Sequence, residues 1–510
     1  MVDKSNKGLV YLVGAGPGDP GLITTKGMRC IETADVLIYD YLAAKTFLNH
    51  TRPECEHIYV GKKGGDHTLS QDGINQLIVD KAREGKIITR LKGGDPFIFG
   101  RGGEEAEVLV EADIPFEVVP GVTSAIAGPA YAGIPLTHRQ FTSTLAFVTG
   151  HEDPTKDASS IDWSALARGI GTLVFFMGVK NLPHIVDRLL ENGRPSDTPV
   201  ALVRWGTTSR HKTVTGTLNN IVERATAAAI KAPALIVVGK VVTLRETLQW
   251  FEKRPLLGKR IVITRARAQA SDLVEALSDL GAECVECPTI EVIEPDSWQP
   301  LDDAIDGINK YQWLIFTSVN GVQFFFNRLF GRGLDARALG HLRTAAIGPS
   351  TAKRLRDYGI STDILPKTYQ AESVVDAFSD VAVQGQKVLL PRAKEARAVL
   401  PEELRRMGAE VDEIVAYQTL QANDETSDLV DALRNRKIDM VTFTSSSTVR
   451  NFKALLPERE VPDLMIGVTV ACIGPITADT AKSLGFKTDL VADEFTIDGL
   501  TAAIARYYSS

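Results

Sequence analysis

Two glycine-rich turns decide what this chain can fold into. GAGPGDPGL (Gly14 to Leu22) closes the apolar, β-branched run Leu9 to Val13, and RLKGGDPFIFGRGGEE (Arg90 to Glu105) closes the run Ile87 to Leu91. A short apolar run that ends in glycines marks the edge at which an open α/β sheet holds its ligand. The first turn departs from the dinucleotide pattern G-x-G-x-x-G, because its glycines are Gly14, Gly16 and Gly18, with Pro17 between them and Asp19 after them. Pro17 removes a backbone N–H where a pyrophosphate would be cradled, and Asp19 adds negative charge beside it. The second turn offers Gly93 and Gly94 for close backbone approach and Asp95 as an acceptor for ribose hydroxyls or a cationic group.

A nucleoside without phosphates suits both turns, and S-adenosyl-L-methionine is such a nucleoside. From there the family resemblance is specific. GAGPGDPGLIT, YDYL (Tyr39 to Leu42), GKKGGDHTLSQDGIN (Gly61 to Asn75), RLKGGDPFIFGRGGEE, VVPGVTSAIAGPAYAGIPLTHR (Val118 to Arg139) and PALIVVGKVV (Pro233 to Val242) run in order along the first half of the chain. Together they resemble the uroporphyrinogen-III C-methyltransferases. The resemblance implies S-adenosyl-L-methionine as methyl donor, with S-adenosyl-L-homocysteine as product, held by Pro17, Gly93, Gly94, Asp95, Ile98, Thr123, Ser124, Met177, Gly206 and Ala234. It implies Asp40 as proton acceptor and Lys62 as proton donor, the plainer alternatives being a turn cap and a solvated charge.

Periodicity gives alternating strands and helices from Leu9 to Leu91, hence a parallel sheet with helices on its faces. Asp40 ends one strand and Lys62 follows another, which puts both on the ligand-bearing edge. Thr123 and Ser124 open a helix of small residues, where free N–H groups and hydroxyls can bind the methionine part of the cofactor, although Thr123 can equally cap the helix. Strands at Leu145 to Thr149, Thr172 to Met177, Val200 to Trp205 and Leu235 to Val238 predict a second α/β domain.

The second half repeats itself. GKRIVITRARAQ begins at Gly258 and GQKVLLPRAKEA at Gly385; Phe316 of IFTSVNGV answers Phe443 of VTFTSSST, and Gly348 of AAIGPST answers Gly474 of ACIGPIT. The repeat predicts two similar α/β units, each with an Arg-rich turn, a Thr-Ser turn and an IGP turn. With CPTIEV (Cys287 to Val292) and AYQT (Ala416 to Thr419) it resembles uroporphyrinogen-III synthase, which implies two interleaved lobes with parallel sheets, the chain crossing at those two motifs. The domains expected are 1–115, 116–253 and 254–510.

The resemblance implies a substrate with eight carboxylates, which needs local cations, since a net charge of −7 gives no attractive overall field. Lys63, His67, Arg101, His138, Arg139 and Arg204 are the candidates in the first half. In the second half Arg265, Arg267, Arg392, Lys394 and Arg397 supply charge, while Ser318, Thr351, Ser446 and Thr477 supply hydroxyls. The synthase resemblance implies closure of hydroxymethylbilane with loss of its hydroxyl, for which Tyr417 is the candidate to assist departure, the alternative being an ordinary strand residue.

The acidic balance argues against nucleic acid as a partner, and no apolar run reaches about 18 residues, so no membrane span is expected. Five cysteines in 510 residues form no disulfide framework, and no signal peptide is visible, which predicts a cytoplasmic protein. Cys284 and Cys287 lack a second pair, and no metal site is expected. The methyltransferase resemblance implies a homodimer. Two other readings stay open: a methyltransferase for a later precorrin, and a carboxy-terminal half that binds tetrapyrrole as a regulatory module without catalysis.

Overall fold

The computed structural model describes residues 8–43, 45–61, 69–150, 161–264, 267–287, 290–366, 377–378, 381–396, 398–421 and 426–509. The chain forms two compact units: Met1–Arg260 with Ala276–Glu283 and Ala505–Ser510, and Ile261–Glu275 with Cys284–Ile504.

The first unit is built on two five-stranded sheets. Strands β1 (Leu9–Gly14), β2 (Val36–Tyr39), β3 (Glu56–Tyr59), β4 (Ile87–Lys92) and β5 (Phe116–Val119) lie in the order β3-β2-β4-β1-β5, all parallel. Val10, Leu12, Val36, Ile38 and Ile88 are fully buried between this sheet and its helices. Helices return the chain across the sheet: Thr24 caps Thr25–Glu32 by accepting from Gly27 N, and Ser70 caps Gln71–Arg83 by accepting from Gly73 N. A parallel sheet sets the ends of all its strands on one edge. Because β1 and β4 are neighbours, the two glycine turns lie side by side there.

Strands β6 (Leu145–Thr149), β7 (Thr172–Phe176), β8 (Pro199–Arg204), β9 (Lys212–Thr217) and β10 (Ala234–Val238) form the other sheet, in the order β6-β7-β10-β8-β9. Only β6 and β7 pair in parallel; β10 runs antiparallel to both neighbours, and β8 and β9 form an antiparallel pair. Sequence periodicity finds four of these strands and misses β9. Its sequence KTVTGT is an edge strand with most positions half-buried, so it carries no apolar run.

The second unit holds β11 (Arg260–Ile263), β12 (Glu283–Glu286), β13 (Ile290–Ile293), β14 (Trp313–Phe316), β15 (Arg343–Ala346), β16 (Lys387–Ala393), β17 (Glu410–Gln421), β18 (Met440–Phe443), β19 (Thr469–Cys472) and β20 (Leu490–Val491). One sheet runs β12-β11-β18-β19-β20 and the other β13-β17-β16-β14-β15. The lobes are therefore interleaved, with crossings between β12 and β13 and after β17. Each lobe has the expected Arg-turn, Thr-Ser and IGP strands, and it draws them from both repeats. Each repeat gives its Arg-turn strand to one sheet and its Thr-Ser and IGP strands to the other. The ladders keep a common offset: Ile261 pairs with Met440 as Val388 pairs with Trp313, and Met440 with Thr469 as Trp313 with Arg343. RIVI and KVLL present the same buried face to a parallel neighbour, so either repeat's first strand satisfies either sheet. Edge strand β13 runs antiparallel to β17, Ile290 opposite Gln421.

Candidate active sites

Three turns of the first unit meet through backbone alone. A Cβ built on Gly121, after β5, would lie 2.3 Å from Gly94 O and 2.7 Å from Gly14 Cα; one on Gly14 would lie 2.5 Å from Gly121 Cα. Gly16 and Gly94 exchange hydrogen bonds, Gly94 N to Gly16 O at 2.7 Å and Gly16 N to Gly94 O at 3.2 Å. Gly94 has φ +70°, a conformation that favours glycine, and its missing Cβ would sit 3.6 Å from Ser124 N at the start of helix Ser124–Tyr131. The convergence makes a cradle of peptide edges whose own contacts leave no room for a side chain at Gly14 or Gly121. Thr123 is buried and its hydroxyl makes no capping bond, so the capping alternative is not realised. Asp95 ties the cradle together: Oδ1 accepts from Phe97 N at 2.8 Å and Oδ2 from Gly121 N at 3.0 Å. Asp19 accepts from Gly21 N and from the Tyr131 hydroxyl at 2.6 Å, so its charge is spent on the protein's own donors.

The loop between β8 and β9 carries two further left-handed residues, Trp205 (φ +47°) and Thr207 (φ +75°), on either side of Gly206. Such backbone persists where the surroundings hold it. Here Thr207 Oγ1 accepts from Asp19 N at 3.1 Å, the Trp205 ring meets Tyr41 at 5.9 Å, and Gly206 packs on Gly128, where a Cβ would lie 2.8 Å from Gly128 Cα. Met177 is 54% exposed at φ +53°, which separates it from ordinary core methionines; Ile98 is exposed in the loop after Asp95, and Ala234 opens β10 opposite Arg204.

Asp40 closes β2 and is part-exposed, with Oδ1 accepting from Leu42 N at 3.1 Å. Its Oδ2 lies 3.4 Å from Arg90 Nη2 on the neighbouring β4. Arg90 also donates from Nε to Glu105 Oε1 at 3.2 Å, and Lys92 Nζ reaches the same oxygen at 2.6 Å. Burial, followed by the charge of Arg90, lowers the pKa of the Lys92 ammonium against the opposing pull of Glu105. All three residues stand inside the RLKGGDPFIFGRGGEE motif. A charged pair at i and i+2 in a central parallel strand was the available signal, since both side chains fall on one face.

In the second unit, parallel pairing brings the ends of β14, β15 and β16 to one edge, with Ser318, Thr351 and Arg392. Ser318 caps helix Val319–Gly331, accepting from Gly321 N at 2.9 Å, and lies 2.9 Å from the Tyr417 hydroxyl. Tyr417 is 6% exposed and stacked on Phe324. Burial raises its pKa, with Ser318 pulling the other way, so it is a phenol near neutrality. Arg392 is buried and paired with Glu413 at 2.8 Å, and Glu413 also takes Arg405 at 2.8 Å. At the corresponding edge of the other lobe, Ser445 caps helix Ser446–Leu455 reciprocally with Thr448, and Ser446 bonds Thr480 at 2.7 Å. The counterpart of Ser318 is thus Ser445, the cap, and not Ser446. Thr351 and Thr477 are buried in the first turns of their helices.

The tetrapyrrole (corrin/porphyrin) methylases match residues 9–222, and uroporphyrinogen-III synthase HemD matches residues 271–502. A "Porphyrin biosynthesis protein HemD" of Ruminiclostridium josui is 39% identical over 97% of this chain and 97% of its own length. An "S-adenosyl-L-methionine-dependent uroporphyrinogen III methyltransferase" of Methanosarcina barkeri is 54% identical over 48% of this chain and 95% of its own. The chain belongs to the tetrapyrrole methylases fused to a uroporphyrinogen-III synthase. A "Siroheme synthase" of Pseudomonas fluorescens shares the methylase part at 51% identity, over 48% of this chain and 52% of its own length.

Among the residues expected for such a methylase–synthase, Lys62, Lys63, His67, Arg265 and Arg397 lie outside the described residues. Arg101, at φ +58°, pairs with Glu104 at 2.5 Å, and Arg139 is exposed. Arg204 is half-buried with its Nε atom unpartnered. Lys394 is bound to Asp296 at 2.5 Å, a carboxylate that also accepts from Gln418. Among the described residues no cluster of His, Cys, Asp and Glu could hold a metal, and no helix is long and apolar enough to cross a membrane.

Proposed function

We propose that the amino-terminal half methylates uroporphyrinogen III at C2 and C7 to give precorrin-2, and that the carboxy-terminal half makes that substrate by closing hydroxymethylbilane with loss of water. The observation that carries the reading is the backbone convergence of Gly14, Gly94 and Gly121 within the sheet edge that also ends in Asp40. The adenosine part of S-adenosyl-L-methionine is uncharged and fits peptide edges, and Pro17 offers no N–H to a phosphate. S-adenosyl-L-methionine, when bound, supplies an electrophilic methyl group. Gly93, Gly94, Thr123 and Ser124 would hold it, with Met177 and Gly206 against the nucleoside. Holding the attacking pyrrole carbon in line supplies most of the rate. Asp40 accepts the proton released as the pyrrole is methylated, with Lys62 as its donor counterpart.

In the synthase half the Tyr417 phenol protonates the leaving hydroxyl, Ser318 orients the phenol, and basic groups near the strand ends hold the carboxylates. The division at 253, a cytoplasmic location and a homodimer complete the proposal, while the division expected at 115 moves past Val119, because β5 (Phe116–Val119) pairs with β1 in the first sheet; the dimer rests on the methyltransferase resemblance, and sedimentation at micromolar concentration tests it.

The deciding experiment gives the purified chain hydroxymethylbilane with and without S-adenosyl-L-methionine and no other enzyme. A precorrin-2 chromophore that appears only with S-adenosyl-L-methionine is the expected result. If only added uroporphyrinogen III is methylated, the second half is no working synthase and a regulatory tetrapyrrole-binding module takes its place.

A further inference from the structure

Directly beneath the methylase site lies a charge cluster that the cradle does not need. Arg90, Lys92 and Glu105 have side chains 4%, 5% and 0% exposed, whereas Asp40 is 27% exposed. Among the described residues, the three donors that reach Glu105 go to one oxygen: Arg90 Nε at 3.2 Å, Lys92 Nζ at 2.6 Å and Gln71 Nε2 at 3.3 Å. Its Oε2 is buried with no partner among the described residues. Two buried cations thus share one buried carboxylate, and Arg90 also reaches out to Asp40, from Nη2 to Oδ2 at 3.4 Å. Arg90 Nη1 is fixed on Leu91 O at 3.1 Å, which holds the guanidinium plane.

Buried ion clusters are weak sources of stability, because desolvation offsets the Coulomb gain. What this cluster achieves is allocation. Lys92 takes up most of the Glu105 charge, so Arg90 remains available to Asp40 across the strand pair β2–β4. We propose that Lys92 and Glu105 are positioning residues for methyl transfer, acting through Arg90 to aim the Asp40 carboxylate at the substrate. The proposal rests on Asp40 being the acid–base group of the methylase.

The charge count makes a prediction that a merely structural role would not. Lys92→Met leaves Glu105 to capture Arg90 and draws the guanidinium off Asp40. Adding Glu105→Gln to Lys92→Met removes the competitor and returns Arg90 to Asp40. With the full chain and uroporphyrinogen III as substrate, Lys92→Met lowers kcat about tenfold or more, with KM and S-adenosyl-L-homocysteine affinity within about twofold of wild type. The double variant Lys92→Met/Glu105→Gln recovers most of that loss. A double variant slower than the single one, or a single variant with unchanged kcat, overturns the proposal. Should Lys92→Met fail to fold, the double variant alone decides: kcat near wild type supports the proposal, and a tenfold loss overturns it. Asp40→Asn, run alongside, separates the two readings. If it turns over normally the acid–base role of Asp40 falls; if it is inactive while Lys92→Met is not impaired, only the positioning role falls.

Discussion

The two halves of this chain build their sites in opposite ways. In the methylase half the turns after β1, β4 and β5 touch at glycines, so the shape of the cradle is set by backbone, and side chains are confined to its margins. In the synthase half a repeated frame keeps the same strand register in both lobes, and the two edges differ in side chains. One lobe places the Tyr417 phenol on Ser318; the other has serine and threonine hydroxyls, with Ser445 bonded to Thr448 and Ser447 and Ser446 to Thr480. A backbone site tolerates no added atom, whereas a side-chain site on a duplicated frame can be lost from one copy while the frame survives.

The harshest test of that contrast is a single methyl group. Gly121→Ala places a Cβ 2.3 Å from Gly94 O and 2.7 Å from Gly14 Cα, both backbone atoms that cannot swing aside. S-adenosyl-L-homocysteine affinity, measured by calorimetry, should fall by about two orders of magnitude or more, corresponding to at least about 2.7 kcal/mol. Cyclisation of hydroxymethylbilane by the same preparation should be unchanged. Near-normal affinity would mean that the three turns do not frame the cofactor.

Tyr417→Phe is the reciprocal change. It removes one hydroxyl from the synthase edge and keeps the ring stacked on Phe324 at 5.6 Å. Ring closure should slow by about 10²-fold, the ordinary worth of a positioned proton donor, while methylation of supplied uroporphyrinogen III is unaffected. The pH dependence has a definite sign. Burial holds the phenol pKa above its ordinary value, so the donor is present at neutral pH and is lost only as pH rises past the usual tyrosine range. A closure rate that falls between about pH 8 and 9 would assign the proton to another group.

The strand ends and the glycine turns were legible because they are local: an apolar run of four to six residues and a glycine pattern suffice to fix them. Three features were not. Strand β9 has no apolar run to announce it. The exchange of repeats between the sheets of the second unit is invisible to spacing, since both repeats present interchangeable first strands; the crossings at CPTIEV and AYQT came from resemblance. The burial of Arg90, Lys92 and Glu105 depends on which helix covers β4. Glu105 is the fourth residue of helix Gly102–Glu111, and nothing in its sequence position separates it from exposed Glu104 beside it.

The smallest effect makes the sharpest comparison between the two lobes. Ser318 and Ser445 occupy equivalent positions, and each accepts a backbone N–H at the start of its helix, Gly321 N at 2.9 Å and Thr448 N at 3.3 Å. Replacing either by alanine should therefore destabilise by a similar amount, about 1 kcal/mol in denaturant titration. Only Ser318 also touches Tyr417. Ser318→Ala should slow ring closure several-fold beyond its effect on stability, because the phenol loses its orienting partner, and Ser445→Ala should leave closure within about twofold. Equal rate losses in the two variants would show that the hydroxyls act alike on substrate carboxylates and that the catalytic edge is shared by both lobes. A loss confined to Ser318 would show that duplication supplied the frame twice and that proton transfer belongs to the lobe containing Tyr417.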